Sequence, residues 1–284
     1  MVLPKRGKTV KCYCLTANRI LISVLILVFF LSTMSATERV SEVKSSNIYV
    51  GIEGGVSISN RVLLAPEWTQ KDCISNIWYP TGSDSFDTDL GTAKCIGAKI
   101  GYQINPVVSV DFTYNYLGDF SSLRGYASNI IASTTFILGD IYSFRNINIQ
   151  TFLFNINLSP DIQWGGFVPY ISGGAGLASN KIGCMQNYNE SYLPQYPAWY
   201  DIMLYGKKVT SFSWQVGVGA YYTFLNHWRF GMAYRFLDVG KLATGDYYHY
   251  YSYNPVSEAS GITKRFVARH PTFNEFLLSL TYDF

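Results

Sequence analysis

Charge is scarce in this chain: Asp, Glu, Lys and Arg together make up 14% of its 284 residues. That is a poor supply for a soluble surface. Histidine is scarcer still, with His227, His249 and His270 the full set, and the cysteines are scattered, so no metal-ligand spacing can be drawn. The uncharged apolar run Ile20 to Leu31 is too short for a comfortable membrane-spanning helix, and only by counting on to Thr37 does it approach an uncleaved anchor. The apparent basic excess of 22 Lys plus Arg over 19 Asp plus Glu also dissolves on inspection. Lys5, Arg6, Lys8, Lys11 and Arg19 precede the apolar run and no acid does, which leaves 17 basic against 19 acidic residues beyond it. The remainder is slightly acidic and gives no reason to expect a nucleic-acid partner.

Basic residues, a short apolar core and then the small residues Ser32, Thr33, Ser35 and Ala36 form the layout of a secretory signal peptide. Residues 1–36 are expected to be removed, with Ser35 an alternative end, and Cys12 and Cys14 leave with them. Residues 37–284, about 250 positions, then suit a single all-β domain.

Aromatics are abundant, at 17% of the chain, and they recur with period two. Ile48, Val50, Ile52 and Val56 alternate with Tyr49, Gly51, Glu53 and Gly55 in a first predicted strand. A second covers Ala93 to Ile104, with Ile96, Ile100 and Tyr102 opposite Gly97, Lys99 and Gln103, and Asn105-Pro106 turns the chain into a third from Val108 to Tyr116. A fourth runs from Asn146 to Leu158, where the parity slips near Gln150 and Thr151 and suggests a bulge. The fifth, Gly166 to Ala178, shows no clear alternation, so its faces are unassigned. Phe212 to Phe224 and Trp228 to Phe236 alternate cleanly as the sixth and seventh. Thr272 to Phe284 is the eighth, with Phe276, Leu278, Leu280, Tyr282 and Phe284 on one parity.

Short and long connections alternate strictly along these strands, the long ones about 25 to 35 residues each. The expected fold is therefore all-β: an eight-stranded antiparallel up-and-down transmembrane β-barrel with short periplasmic turns and four long outer loops. A lipocalin-like barrel would be polar outside and apolar inside; here Trp, Tyr and Phe crowd both ends of the apolar parity, as interfacial belts require. Eight strands enclose little more than their own side chains, which argues against a general diffusion pore. The inward parity carries Glu53, Lys99, Asp111, Arg229, Arg235, Glu275 and Asp283, read as a closed network of paired charges rather than a gated ion path.

Leu280-Thr281-Tyr282-Asp283-Phe284, Val168-Pro169-Tyr170-Ile171-Ser172-Gly173-Gly174-Ala175-Gly176-Leu177 and Tyr234-Arg235-Phe236-Leu237-Asp238-Val239-Gly240 resemble the bacterial outer-membrane β-barrel superfamily of OmpA membrane domains, OmpX and opacity-type surface antigens. The resemblance covers essentially the whole mature chain. It implies an outer-membrane location with loops exposed outside, contact with membrane lipid and lipopolysaccharide, and a role in adhesion, as a surface antigen or in membrane stability, with host surface molecules as partners. It also implies that Phe284, with Tyr282 and Leu280, is the signal read by the barrel-assembly machinery. No cofactor is implied, and no peptidoglycan-binding domain is expected after the barrel.

The rival readings are a narrow porin-like channel and a barrel enzyme, a lipid A-modifying enzyme or an omptin-type protease. Only Asp246-Tyr247-Tyr248-His249-Tyr250-Tyr251-Ser252 offers residue types suited to catalysis, and it reads as a mobile aromatic loop. Candidate recognition residues are Tyr188, Tyr192, Tyr196, Trp199 and Tyr200 in the third outer loop and Tyr247, Tyr248 and Tyr250 in the fourth, because tyrosine supplies contact area at low entropic cost. Cys73 and Cys95 are candidates for a disulfide closing the first outer loop; Cys184 is left to compete for either partner or remain free.

Overall fold

A computed structural model describes residues 47–66, 86–88, 90–120, 124–129, 138–160, 166–190, 200–224, 227–253, 256–262 and 265–284. Eight strands form the wall: β1 (Ile48–Ser59), β4 (Thr92–Gln103), β5 (Val108–Gly118), β8 (Asn148–Leu158), β9 (Phe167–Glu190), β10 (Tyr200–Phe224), β11 (Trp228–Asp238) and β16 (Thr272–Asp283). Eight shorter ones lie in the long connections: β2 (Val62–Pro66), β3 (Phe86–Thr88), β6 (Arg124–Asn129), β7 (Leu138–Arg145), β12 (Lys241–Ala243), β13 (Tyr247–Tyr253), β14 (Val256–Ile262) and β15 (Phe266–Arg269).

Each wall strand pairs antiparallel with the next wall strand in the chain, and β16 pairs back onto β1, from Tyr49 opposite Asp283 to Ser59 opposite Phe273. The sheet therefore closes into an eight-stranded barrel, which leaves no open edge among the wall strands and satisfies the backbone inside lipid. No helix among the described residues is long and apolar enough to cross a membrane, so the strands do the crossing. The described part of the turn between β4 and β5 is tight because Asn105 accepts backbone N–H bonds from Val107 and Val108 at 2.9 and 2.8 Å.

The outward parity is apolar over a band of limited height. On β10 it runs from Tyr222 through Val216 and Trp214 to Phe212, ten residue steps that rise about 25 Å once strand tilt is included. Tyr102, Phe167, Tyr222, Trp228 and Tyr282 ring the short-turn end of this band, and Trp214, Phe236, Tyr234 and Phe276 gather toward the other.

Two readings of single strands change. β8 holds an unbroken register against both β5 and β9, with Thr151 opposite Asn115 and Gln150 opposite Tyr116, so the expected bulge is absent. What changes near Gln150 is the environment: Ile149 faces an apolar interior while Asn155 on the same parity faces a polar one. β9 does have faces. Tyr170, Ser172, Gly174, Gly176 and Ala178 point inward, and small residues on both parities hide the pattern. A Cβ at Gly174 would strike the Asn155 amide.

β9 and β10 run for 24 and 25 residues, far past the apolar band, so most of the third long connection is strand rather than loop. Their inward parity inverts at Gly183 and Gly206: Ile182 is buried on one side of the step, Met185 and Leu204 on the other. A Cβ at Gly206 would collide with the backbone carbonyls of Ile182 and Gly183. Above the wall, β12, β15, β2, β3, β6 and β7 pair in that order onto the upper part of β9, and β13 and β14 extend β10. A second β tier thus stands on the long-loop end of the barrel.

Candidate functional site

The barrel interior and the tier above it are the two places where this fold concentrates polar or recognition-type side chains. Inside, Arg235 of β11 lies directly opposite Glu275 of β16, and its Nε donates to Glu275 Oε2 at 2.5 Å. Its Nη1 donates to Glu53 Oε1 of β1 at 2.9 Å, across 182 residues of sequence, because barrel closure sets β1 beside β16. All three are buried. Asn115 of β5 completes the cluster from across the lumen: with its amide turned so that each end meets a complementary partner, its nitrogen donates to Glu53 at 2.8 Å and its oxygen accepts from the guanidinium at 3.2 Å. The facing residue, Gly97, has no Cβ that would displace that amide.

Nearer the short turns, Arg229 donates to Asp283 at 2.5 Å and packs over the rings of Tyr49 and Tyr221, at 4.7 and 5.1 Å from their centroids. Asp111 departs from the expected ionic network. It lies in the lumen but is held by neutral donors, the Asn155 amide at 2.7 Å, the Asn157 amide at 2.6 Å and the Tyr49 hydroxyl at 3.1 Å, with Gln215 donating in turn to Asn155 at 2.5 Å. Lys99 faces the lumen without a carboxylate in ion-pair range among the described residues. It borders, with Asp111, Arg229 and Tyr170, a polar cavity of about 80 Å³, room for several waters.

Above Arg235 the interior turns apolar. Leu117, Ile149, Leu237 and Phe273 project from the wall and meet Val62, Leu64, Phe144, Leu242 and Ala268 from the tier, all of them buried in one cluster. The parity rule found the charges but missed this plug and the amides Asn115, Asn155, Asn157 and Gln215. The amides carry a signal, their inward parity; the plug residues on β2, β7, β12 and β15 carry none that pattern alone could place.

Cys95 faces inward as a free, buried thiol, its Sγ 3.9 Å from an Arg235 nitrogen. Cys73 lies outside the described residues, so the expected Cys73–Cys95 bridge falls outside them as well. Cys184 is also free.

The segment read as a mobile aromatic loop is β13, paired to β10 from Tyr200 opposite Ser252 to Leu204 opposite Tyr248, and to β14 along its length. Tyrosine-rich alternation favours a pleated ladder over a loose loop. Tyr248 is half-buried against the plug, and Tyr247 stacks near Tyr205 with centroids 5.4 Å apart. Tyr188, Tyr200 and Tyr250 occupy strand positions in β9, β10 and β13. Tyr192, Tyr196 and Trp199 fall outside the described residues, as do residues 1–46. His249 Nε2 lies 2.5 Å from Glu258 Oε1 across the β13–β14 hairpin, and His270 Nδ1 lies 3.0 Å from Asp238 Oδ2 at the rim. Among the described residues no group of three His, Cys, Asp or Glu side chains could hold a metal ion. At the seam, Phe284 donates its N–H to the Ile48 carbonyl at 3.1 Å and meets the Tyr282 ring edge-on.

The chain matches the outer membrane protein beta-barrel domain family over residues 23–284 and belongs to that family. The family places it in the bacterial outer membrane. Comparison with curated proteins gives no match. Among solved structures, Neisserial surface protein A is similar at 12% identity and a TM-score of 0.42, covering 85% of this chain and 100% of that one. The outer membrane protein OprG from Pseudomonas aeruginosa gives 12% and 0.41, covering 84% and 97%. The outer membrane protease OmpT from Escherichia coli gives 11% and 0.37, covering 88% and 100%. Likenesses of this size say nothing about ligand or activity.

Proposed function

We propose that this protein is a non-enzymatic surface protein of the outer membrane, exported by residues 1–36, in which the wall is a closed anchor and the β tier faces the exterior to carry an adhesive or antigenic surface. The supporting observation is the division of the interior. The buried Arg235 cluster and the apolar plug above it fill the lumen, while every long connection contributes strand to the tier. Among the described residues this filling of the lumen favours an anchor over a channel, and what distinguishes the protein projects beyond the membrane. Lipid and lipopolysaccharide surround the wall, the barrel-assembly machinery reads Phe284, Tyr282 and Leu280, and host surface molecules meet the tyrosine-bearing hairpins.

Intact cells expressing the protein should bind an antibody raised against the segment Tyr188 to Tyr205. Removing residues 191–199 should lower attachment of those cells to cultured host cells while heat-modifiable, folded barrel persists. Attachment unchanged by that deletion would sink the adhesive role. Stepwise single-channel currents from purified protein in a planar bilayer would replace the anchor with the narrow channel.

A further inference from the structure

β9 and β10 carry three successive outward-facing pairs in direct register: Leu177 with Phe212, then Ser179 with Thr210, then Lys181 with Lys208. The first pair belongs to the apolar band, at 53% and 63% exposure. The last is a pair of like charges placed side by side, an arrangement that destabilises a ladder. Both lysines are exposed, and neither has an acidic partner among the described residues. Two more donors flank them. Asn148 of β8 lies opposite Lys181, and its oxygen is occupied by the Tyr116 hydroxyl at 2.7 Å, which leaves its amide N–H groups to give. Arg145, at the end of β7 opposite Cys184, is exposed and likewise has no acidic partner among the described residues. Elsewhere on the same rim a lone outward lysine does have its counter-ion: Lys94 meets Asp119 at 3.1 Å.

Height narrows the choice of anion. Two rungs separate the lysines from Leu177 and Phe212, about 13 Å along the strand or about 10 Å above the hydrocarbon once tilt is included. A lysine side chain reaches back over much of that distance, so its ammonium meets headgroup phosphates rather than acyl chains or bulk water.

We propose that Lys181 and Lys208, with Asn148 and Arg145, form a binding site for the phosphate of a phosphorylated glycolipid in the leaflet at the long-loop end. A phosphate seated between the two ammonium groups turns their mutual repulsion into a shared attraction, and so offsets the cost of a like-charge pair that has no acid of its own among the described residues. This rests on the reading that the tier faces the exterior, where such glycolipids lie.

The test uses the full barrel purified in detergent, with binding of bisphosphorylated lipid A counted by native mass spectrometry against dephosphorylated lipid A and phosphatidylglycerol. Lipid A should bind most tightly, and Lys181→Gln with Lys208→Gln should weaken it by about thirtyfold, from two charges each worth about a fivefold change at an anionic surface. Lys94→Gln should leave it unchanged. Lys208→Glu should abolish binding yet leave the lipid-free barrel at least as heat-resistant, because it creates a cross-strand ion pair with Lys181; lost binding in that variant therefore cannot be blamed on misfolding. Equal affinity for phosphatidylglycerol, displacement by millimolar inorganic phosphate, or full binding by Lys208→Glu would each overturn the site. Failure of the antibody to reach intact cells while lipid A binding persists would overturn the orientation instead of the lysine site.

Discussion

Arg235→Ala is the sharpest probe of the barrel interior. Arg235 is 5% exposed and bridges two carboxylates that are themselves buried, Glu53 at 9% and Glu275 at 0%. Removing the guanidinium leaves both acids, and the Asn115 oxygen, without their cation in a region that water reaches poorly. Removing one member of a buried pair costs about 3 to 5 kcal/mol, and here two partners are stranded, so the upper part of that range is expected. The loss should appear in reversible urea unfolding in micelles as a lower midpoint, with the slope against denaturant unchanged. Lys94→Ala serves as the control: its pair with Asp119 is 82% and 74% exposed, and an exposed pair is worth under about 1 kcal/mol. Arg235→Met together with Glu53→Leu and Glu275→Leu should recover most of the loss, since an apolar filling leaves no ion behind. If Arg235→Ala unfolds within about 1 kcal/mol of the parent, the two carboxylates are not depending on it and the closed-core reading fails.

Three further outcomes follow from other parts of the fold. Gly206→Val should sharply reduce the folded, fast-migrating form on unheated detergent gels, because its side chain must enter space held by the backbone carbonyls of Ile182 and Gly183, whereas Gly173→Ala, with open space around it, should fold normally. Cys95 should resist a membrane-permeable maleimide in the folded barrel and react on unfolding, and a Cys73–Cys95 disulfide found by peptide mass analysis would contradict its placement beside Arg235. Deleting Phe284 should lower the amount of folded barrel in the membrane while processing of the export signal continues; normal assembly would remove the terminal aromatic's role as a signal without touching the fold.

Pattern alone was enough for the wall. Period two assigns each residue a face, so Ile48, Val50 and Ile52 could be set toward lipid and Glu53, Lys99 and Arg235 toward the lumen without any structure. The same pattern, counted along the chain, yields eight strands and the alternation of short and long connections. It fails where both parities are small, as from Gly173 to Gly176 in β9, because glycine carries no side chain to mark a face. It misleads where one face changes surroundings: the slip near Gln150 and Thr151 marked the boundary between polar lumen and apolar plug, since register is continuous there.

What a face cannot specify is a partner. The pairing of Arg235 with Glu53, the neutral cradle around Asp111 and the free thiol of Cys95 depend on which strand lies alongside and at what register, and closure of β1 onto β16 is settled by backbone hydrogen bonds among residues far apart in the chain. The tier is a tertiary outcome for the same reason. Leu64, Phe144 and Leu242 come from three separate connections and share one core only because the barrel beneath holds their strands together. Lys181 and Lys208 are 27 positions apart in sequence and unremarked there; register places them side by side. Residue types and their alternation thus determine the class of protein and its place in a membrane, while the strand register and closure of the folded chain decide which charges meet and which stand open to a ligand.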